Sequence, residues 1–375
     1  MERRKVHVYV FGAGASVHLG APLTKDFLVE GFNLLSFSLS NNLNPELSTD
    51  SFRHVAEFLD ALYHTNLSQK VKDGMNNNLI FLDSWFPKVT IEEILTFVDL
   101  GIDNGQRWKP SFEMLRDSIH DVIFETLDYS TGRPRSFHRN EDGTWSRQRD
   151  TCYDVLVDDI VDLNQENCFI TFNYDLFLDE SAFINHQDIF GDYVLSFDFV
   201  ENFPSYKTNT ENSVNKNTMV NILKLHGSLN WATCDECKKR YLAFFRKYKS
   251  HKRNKCNKCN SRLRPILIPP TYKKRIDEVG LSYVWEKAYE ILTKADFITI
   301  IGYSFPDADI EAKWLFKRAI VEGGRRPIIT MVEPLQEVRD RIREFFGKTA
   351  KYNRNFETFE QYCEIRRPEN KRISK

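Results

Sequence analysis

The stretch Val6–Ser16, VHVYVFGAGAS, decides how the chain is interpreted, because a strand pattern runs directly into a glycine turn. Residues 6–11 are β-branched and aromatic and are bounded by glycine, which predicts a buried strand. Gly12 and Gly14 follow at once, and a helix is expected over residues 21–35. A strand, a glycine turn and a helix form the layout of a dinucleotide phosphate site, where backbone N–H groups and the helix dipole face the pyrophosphate.

The glycine turn alone does not decide between a ligand site and a structural turn. Val17 stands where the usual fingerprint has its third glycine, so a tight turn without a ligand is an equally good interpretation. If a phosphate binds there, Ser16 is placed to donate a hydroxyl hydrogen bond. The rest of the sequence must distinguish a phosphate site from a structural turn.

Composition and pattern predict an α/β protein of about two or three domains. Of 375 residues, 41% are hydrophobic, which supplies a sizeable core. Strand and helix patterns alternate from Cys168 onward and predict a doubly wound, Rossmann-like parallel sheet. The expected domains are a sheet domain of residues 1–40, 165–230 and 265–375, a helical insertion of residues 41–164, and a zinc-ribbon module of residues 231–264.

Net charge and hydropathy argue against nucleic acid and membranes as binding partners. The formal net charge is −1, so no global basic field points to nucleic acid. Residues 238–264 are locally rich in Lys and Arg, and a solvated surface is favoured there over a phosphate-binding patch. No apolar run is long enough to span a membrane, and no cleavage site follows a signal-peptide pattern. A cytoplasmic protein that does not bind membranes is expected.

Four cysteines predict a metal site. Two Cys-x-x-Cys pairs lie 18 residues apart, a spacing that lets two knuckles converge on one tetrahedral Zn²⁺. Four thiolates leave no coordination position for water, so the zinc is expected to be structural. The ligands are Cys234, Cys237, Cys256 and Cys259.

Polar residues follow several predicted strands, at the edge where open α/β sheets bind their ligands. Asn173 and Asp175 come after the strand that ends at Thr171, although an Asx-type turn would explain them equally. His226, followed by glycine and serine, is placed to act as a base near neutral pH, with a structural histidine as the alternative. Glu333 ends a later strand, where an acid can accept both hydroxyls of an adenosine ribose.

In this order, the Gly-Ala-Gly-x-Ser, Thr-x-Asn-x-Asp, His-Gly, four-cysteine and Gly-x-Ser segments resemble the sirtuin family over residues 5–35 and 165–335. The resemblance implies that NAD is bound at the strand ends, with a structural zinc nearby. It implies a base role for His226 and a place at the nicotinamide end for Asn173 and Asp175. The residues expected to bind NAD are Gly12, Ala13, Gly14, Ser16, Thr171, Gly302, Ser304 and Glu333.

Two departures from deacetylating sirtuins bear on the reaction. Leu28 follows Asp26-Phe27 where those enzymes carry Asp-Phe-Arg. The segment RPILIPPTYKK, residues 264–274, replaces the extended edge that pairs with an acyl-lysine peptide, and its prolines lack N–H donors. The remaining pattern resembles bacterial anti-phage defence proteins that hydrolyse NAD, some of which act with a HerA-type ATPase.

The resulting hypothesis is an NAD glycohydrolase in which Asn173, Asp175 and His226 are catalytic. A homo-oligomer assembled through the helical insertion is expected, with a HerA-type ATPase as a further partner. The alternatives are an NAD-dependent protein deacylase, a non-catalytic NAD or ADP-ribose sensor, and a nucleic-acid-acting subunit of an ATPase complex. NAD consumption without an acyl-peptide separates the first two, and salt-dependent DNA retention tests the last.

Overall fold

The computed structural model describes residues 3–41, 48–74, 86–132, 137–139, 145–147, 151–161, 165–185, 198–199, 220–242, 255–268, 276 and 280–366. The predicted strand YVLSF, residues 193–197, lies outside the described residues. The chain forms two compact units. The first unit comprises Met1–His18, Pro134–Ile268 and Arg275–Lys375, and the second comprises Leu19–Arg133 and Pro269–Lys274. The domain boundaries expected from the sequence stay a prediction.

The helices begin and end as follows: α1 (Phe27–Asn41), α2 (Thr49–Tyr63), α3 (Leu67–Gly74), α4 (Ile91–Asp103), α5 (Phe112–Gly132), α6 (Cys152–Val161), α7 (Phe177–Asn185), α8 (Ser282–Leu292), α9 (Ile310–Gly323), α10 (Gln336–Phe346) and α11 (Phe359–Glu364). None of these described helices is both long and apolar enough to cross a membrane.

The strands are β1 (Val6–Phe11), β2 (Phe137–Arg139), β3 (Trp145–Arg147), β4 (Glu166–Thr171), β5 (Asp198–Phe199), β6 (Asn221–Lys224), β7 (Gly227–Cys234), β8 (Arg240–Leu242), β9 (Leu263–Leu267), β10 (Phe297–Ile301), β11 (Ile328–Val332) and β12 (Lys351–Tyr352).

The main sheet of the first unit has six parallel strands in the order β12-β11-β10-β1-β4-β6. This is the 3-2-1-4-5-6 order of a dinucleotide-binding fold, and it confirms the predicted doubly wound α/β class. β1 is buried along its whole length, as the apolar run predicts. Because the chain turns from one half of the sheet to the other between β1 and β10, the ends of these two strands form the switch point where such sheets bind ligands.

The predicted helix over residues 21–35 is wrong at its start. A 3₁₀ turn at Ala13–Leu19 follows β1 instead, Gly20 adopts a φ of +95°, and a second 3₁₀ turn spans Thr24–Asp26 before α1 begins. The left-handed backbone at Gly20 ends the first turn, because a continuing helix requires negative φ. The glycine turn therefore leads into a short 3₁₀ segment before the long helix.

The second unit consists of packed helices in its described part. Thr90 caps α4, and its hydroxyl accepts a hydrogen bond from the backbone N–H of Glu93 at 3.2 Å, as the capping-box spacing predicts. Ile94, Leu95 and Val98 lie on the buried face of that helix. Burial of one apolar helix face is what the amphipathic pattern of this region predicts.

Candidate functional site

The floor of the candidate site is made of two glycine turns that touch. The N–H of Gly12 donates to the carbonyl of Ile301 at 3.0 Å, and the N–H of Gly14 donates to the carbonyl of Gly302 at 3.0 Å. A Cβ on Gly12 would lie 2.6 Å from the Gly302 oxygen, and one on Gly302 would lie 2.2 Å from the nitrogen of Ala15. These positions need glycine because the two backbones meet. The N–H groups of Gly12 and Gly14 therefore already have acceptors and are not available to donate to a phosphate.

A buried polar cluster joins the glycine turn to the end of β4. Ser16 is fully buried, and its Oγ lies 2.8 Å from the hydroxyl of Tyr153. The amide nitrogen Nδ2 of Asn173 donates to the carbonyl of Gly12 at 2.9 Å and to Ser16 Oγ at 3.3 Å. The side-chain oxygen of Asn173 has no hydrogen-bond partner among the described residues. Asn173 therefore fixes the turn with one end of its amide and leaves an acceptor at the other.

Asp175 lies beneath this cluster beside a buried ion pair. Burial raises the pKa of the Asp175 carboxyl, while nearby Lys224 and hydrogen bonds from Ser16 and from the N–H of Phe177 oppose the shift. The ammonium of Lys224 donates to the carbonyl of Asp175 at 2.6 Å and to Oδ2 of Asp179 at 2.7 Å. Lys224 and Asp179 are both almost inaccessible to solvent, so each needs the other's charge.

His226 is held in place through its backbone on both sides. The N–H of Ile268 donates to the carbonyl of His226 at 2.8 Å, and the N–H of Leu225 donates to the carbonyl of Thr171 at 3.0 Å. Gly227 has a φ of +85°, and a Cβ there would lie 2.0 Å from the carbonyl oxygen of Ile266. Only glycine fits that position, which explains why the histidine is followed by glycine.

The imidazole of His226 faces a carboxylate that the sequence analysis did not single out. Its Nε2 lies 3.3 Å from Oδ1 of Asp309, and both side chains are at most 5% exposed. The hydroxyl of Tyr303 donates to the other oxygen of Asp309 at 2.6 Å. The ring of Phe172 stacks on Tyr303 at 4.0 Å and meets His226 edge to face at 5.0 Å. The contact between His226 and Asp309 becomes an ion pair when the imidazole is protonated.

The other predicted residues also lie at the carboxyl ends of parallel strands. Thr171 is buried, and its hydroxyl accepts from the N–H of Asn173 at 3.1 Å. Ala13 opens the 3₁₀ turn, and Ser304 is half-buried after β10. Glu333 follows β11, where its Oε1 accepts from the N–H of Leu335 at 3.0 Å, and burial raises its pKa. Its second carboxylate oxygen has no partner among the described residues.

Two features of the site fit a dinucleotide. An amide oxygen of Asn173 and a carboxylate oxygen of Glu333 remain as acceptors for hydroxyl groups at the ends of two different strands. Asn173 and Glu333 lie on opposite sides of β1 in the sheet order, as the two ends of an extended ligand require.

The four cysteines converge as their spacing predicts. Sγ of Cys234 lies 3.3 Å from Sγ of Cys259, and Sγ of Cys237 lies 3.4 Å from Sγ of Cys256. All four sulfur atoms lie within 4.8 Å of one another, which is compatible with a tetrahedral Zn²⁺.

The two knuckles have the same backbone geometry. The N–H of Lys238 donates to the carbonyl of Cys234, and the N–H of Asn260 donates to that of Cys256. Lys238 and Asn260 both have a φ near +60°, so each knuckle closes through one left-handed residue. The site is therefore built from two equivalent turns, each supplying a pair of thiolates.

Four residues of the cluster were missed from the sequence. Lys224 gave a visible signal, because a lysine inside the apolar strand NILKLH must be buried with a partner. Asp309 lies within the segment ITIIGYSFPDAD, but only the fold brings it to His226. Tyr153 had no local signal, since 137 residues separate it from Ser16. Tyr303 reads as an ordinary core aromatic.

A comparison with protein families supports the interpretation of these segments. The model of the Sir2 family matches residues 135–306. The Sir2 match includes β4, His226, the cysteine module and the Gly302 turn, whereas the first glycine turn lies outside it. The resemblance predicted from the sequence is confirmed over the matched range. No curated protein is similar enough in sequence to match this chain.

Several solved Sir2 structures are similar to this chain at low identity. A Sir2 homologue in complex with NAD is 15% identical, with a TM-score of 0.40, over 97% of this chain and 88% of that one. Sir2 with a p53 peptide and NAD⁺ is 12% identical, with a TM-score of 0.41, over 96% and 91%. A structure concerned with sirtuin substrate affinity is 13% identical, with a TM-score of 0.42, over 97% and 93%.

Proposed function

We propose that this protein is an NAD glycohydrolase that cleaves NAD to nicotinamide and ADP-ribose. The observation that carries the proposal is that the Gly12-bound Asn173 amide and the His226–Asp309 pair follow β4 and β6, which are neighbouring strands of the sheet. The Sir2 family match over the same segments supports NAD as the ligand. The glycine turns, with Ala13, Ser16, Thr171, Ser304 and Glu333, would hold the phosphates and the adenosine.

In the first step, the bond between C1′ of the ribose and the nicotinamide nitrogen breaks, and its electron pair leaves with the neutral nicotinamide. Positive charge develops on the ribose as the bond breaks. The side-chain oxygen of Asn173 is the acceptor nearest the turn and supplies a partial negative charge to this region. Asp175 contributes through Ser16, to which it is hydrogen-bonded.

In the second step, a water molecule attacks C1′ and must lose a proton. His226 is the proposed base, with Asp309 stabilising the imidazolium that results. Tyr303 holds Asp309 in place through its hydroxyl. The products are nicotinamide, ADP-ribose and one proton, so the step needs no further reactant.

The backbone beside the site supports hydrolysis over protein deacylation. Both backbone polar groups of Ile268 are already hydrogen-bonded. Its N–H donates to the carbonyl of His226, and its own carbonyl accepts from the hydroxyl of Tyr174 at 2.5 Å. Pro265 lies in the edge strand β9 and has no N–H, and the sequence continues with two more prolines at 269–270. An acyl-peptide that binds as an added strand would find no N–H donor at Pro265, and the N–H of Ile268 is already used.

The decisive experiment is incubation of the purified full chain with NAD alone, with products separated chromatographically. We expect nicotinamide and ADP-ribose in equal amounts, and turnover lowered about 10²- to 10⁴-fold in a folded His226→Ala variant. NAD consumption only in the presence of acyl-lysine peptide would establish the deacylase instead. Saturable NAD binding without turnover would establish the sensor, and DNA retention that falls steeply with salt would indicate a nucleic-acid subunit.

The wider role follows from the same proposal. NAD depletion in anti-phage defence, a homo-oligomer, a HerA-type ATPase partner and a cytoplasmic location stay predictions. We propose a structural zinc at the four cysteines, because four thiolates leave no open coordination position. Repeating the NAD assay with and without a neighbouring ATPase tests whether a partner controls turnover.

A further inference from the structure

A second group of metal-binding side chains lies in the first unit, apart from the four cysteines. It consists of His18 from the 3₁₀ turn, Cys152 at the start of α6, and Glu360 in α11. One ligand atom from each lies within 4.8 Å of the other two. Nδ1 of His18 lies 4.0 Å from Oε1 of Glu360. Three distant parts of the chain therefore bring an imidazole, a thiol and a carboxylate to one point.

We propose that His18, Cys152 and Glu360 bind a second divalent cation of the zinc class. Imidazole nitrogen, thiolate sulfur and carboxylate oxygen are the three ligand types that Zn²⁺ takes in proteins. Bonds of 2.0–2.3 Å at tetrahedral angles place ligand atoms about 3.3–3.8 Å apart. Glu360 is about half exposed, so its side chain can close the small remaining gap.

A second cysteine lies beside Cys152. The thiol of Cys363 donates to the backbone carbonyl of Cys152 at 3.3 Å, which places the two residues side by side. The thiolate is the form that binds metals, so binding of the ion would release the proton of the Cys152 thiol.

This site differs in kind from the four-cysteine cluster. Three protein ligands leave one coordination position for water, whereas four thiolates leave none. His18 and Cys152 are only partly buried, so the ion can exchange with solvent. We therefore expect a weaker, exchangeable ion here and a permanent one at the four cysteines.

The placement of the ion has a consequence for the catalytic cluster. His18 lies two residues after Ser16, and Cys152 immediately precedes Tyr153. Ser16 and Tyr153 are the two residues whose hydroxyls meet at 2.8 Å. A cation at the new site would clamp the same two backbone segments and hold that hydrogen bond together. This coupling rests on the proposed function, whereas the metal binding itself does not.

The test is a Co²⁺ titration of the full, zinc-loaded chain, followed by absorption spectroscopy. We expect one Co²⁺ per chain, with tetrahedral bands and a single-thiolate charge-transfer band, while the original zinc stays bound. Cys152→Ser should abolish the charge-transfer band, and Glu360→Gln should weaken binding at least tenfold. Glu364→Gln changes an exposed acid on the same helix and is the matched control, with unchanged binding expected.

Several outcomes would overturn the proposal. Absence of a second Co²⁺ event, or equal affinity in Glu360→Gln and Glu364→Gln, would show that these side chains bind no ion. A disulfide between Cys152 and Cys363 in the purified protein, found by mass spectrometry, would make the pair a redox site instead. If Cys152→Ser does not fold, the Co²⁺ affinities of Glu360→Gln and Glu364→Gln decide whether the site binds an ion. The side chain of Glu360 is about half exposed, so its substitution should not prevent folding.

Discussion

His226 and Asp309 face each other with Nε2 and Oδ1 3.3 Å apart, and both side chains are almost fully buried. A neutral asparagine has the shape of the carboxylate without its charge. Asp309→Asn should therefore lower turnover, by no more than the roughly 10²- to 10⁴-fold expected for a missing base. The acid limb of the pH–rate profile should move to lower pH, since the imidazolium loses its neighbouring negative charge. Asp307→Asn, an exposed carboxylate two residues away, is the control and should change neither property.

Asn173→Ala and His226→Ala test the catalytic roles directly. We expect losses in kcat of about 10²- to 10³-fold for the amide and 10²- to 10⁴-fold for the base. NAD affinity should fall much less, because neither residue lies on the adenosine side. Asn173→Ala also removes two hydrogen bonds, at about 1 kcal/mol each, so its melting curve must be measured alongside. Wild-type hydrolysis by folded His226→Ala would rule out the proposed mechanism.

The buried pair of Lys224 and Asp179 predicts a large effect on stability. Lys224→Met leaves the carboxylate of Asp179 buried without its partner, which should cost about 3–5 kcal/mol of unfolding free energy. Adding Asp179→Leu removes the orphaned charge and should restore part of that loss. Denaturant unfolding of both variants measures the difference. A double variant no more stable than the single one would argue against the ion pair.

Comparing Gly302→Ala with Gly324→Ala separates two causes of lost stability, a steric clash of the new Cβ and the strain of a positive φ. Both glycines have a φ near +60°, so both alanines incur about 1–2 kcal/mol of left-handed strain. Only at Gly302 would the new Cβ also meet backbone, 2.2 Å from the Ala15 nitrogen, whereas nothing lies within 4 Å at Gly324. Gly302→Ala should therefore be clearly the less stable variant in thermal unfolding. Similar melting temperatures would mean that the two turns do not touch.

His7 predicts an acid-dependent loss of stability. Burial, reinforced by the charge of Arg366, lowers the pKa of His7 from 6.5 to about 3. Between these values the unfolded chain binds a proton that the native state does not. The unfolding free energy should fall as pH drops through this window, by up to about 1.4 kcal/mol per pH unit from this group. His7→Gln should reduce that slope in denaturant titrations at several pH values, and an unchanged slope would contradict the assignment.

Local sequence pattern was sufficient for much of the fold. The apolar run at residues 6–11 is strand β1, and the two Cys-x-x-Cys pairs meet as their spacing predicts. Both signals are carried by residues close together in the chain. The start of α1 was predicted wrongly, because the left-handed backbone at Gly20 and two 3₁₀ turns interrupt a segment that reads as one helix.

The partners of the candidate catalytic residues could not be found in the same way. Asn173 and His226 were visible because each follows an apolar strand. Tyr153 and Asp309 reach the cluster only through tertiary packing, and no periodicity marks a contact between Ser16 and a residue 137 positions away. Long-range pairing of polar side chains depends on the sheet order, which the sequence indicated only as a class.

The contact between the Gly12-Gly14 turn and Gly302 has a consequence for how the sequence of such a site can diverge during evolution. Its floor takes its shape from main-chain atoms, which side-chain substitutions elsewhere do not remove. The surrounding walls can therefore diverge, residue by residue, while the floor persists. To alter the reaction or the bound nucleotide by design, one would keep these three glycines and vary only the side chains around them.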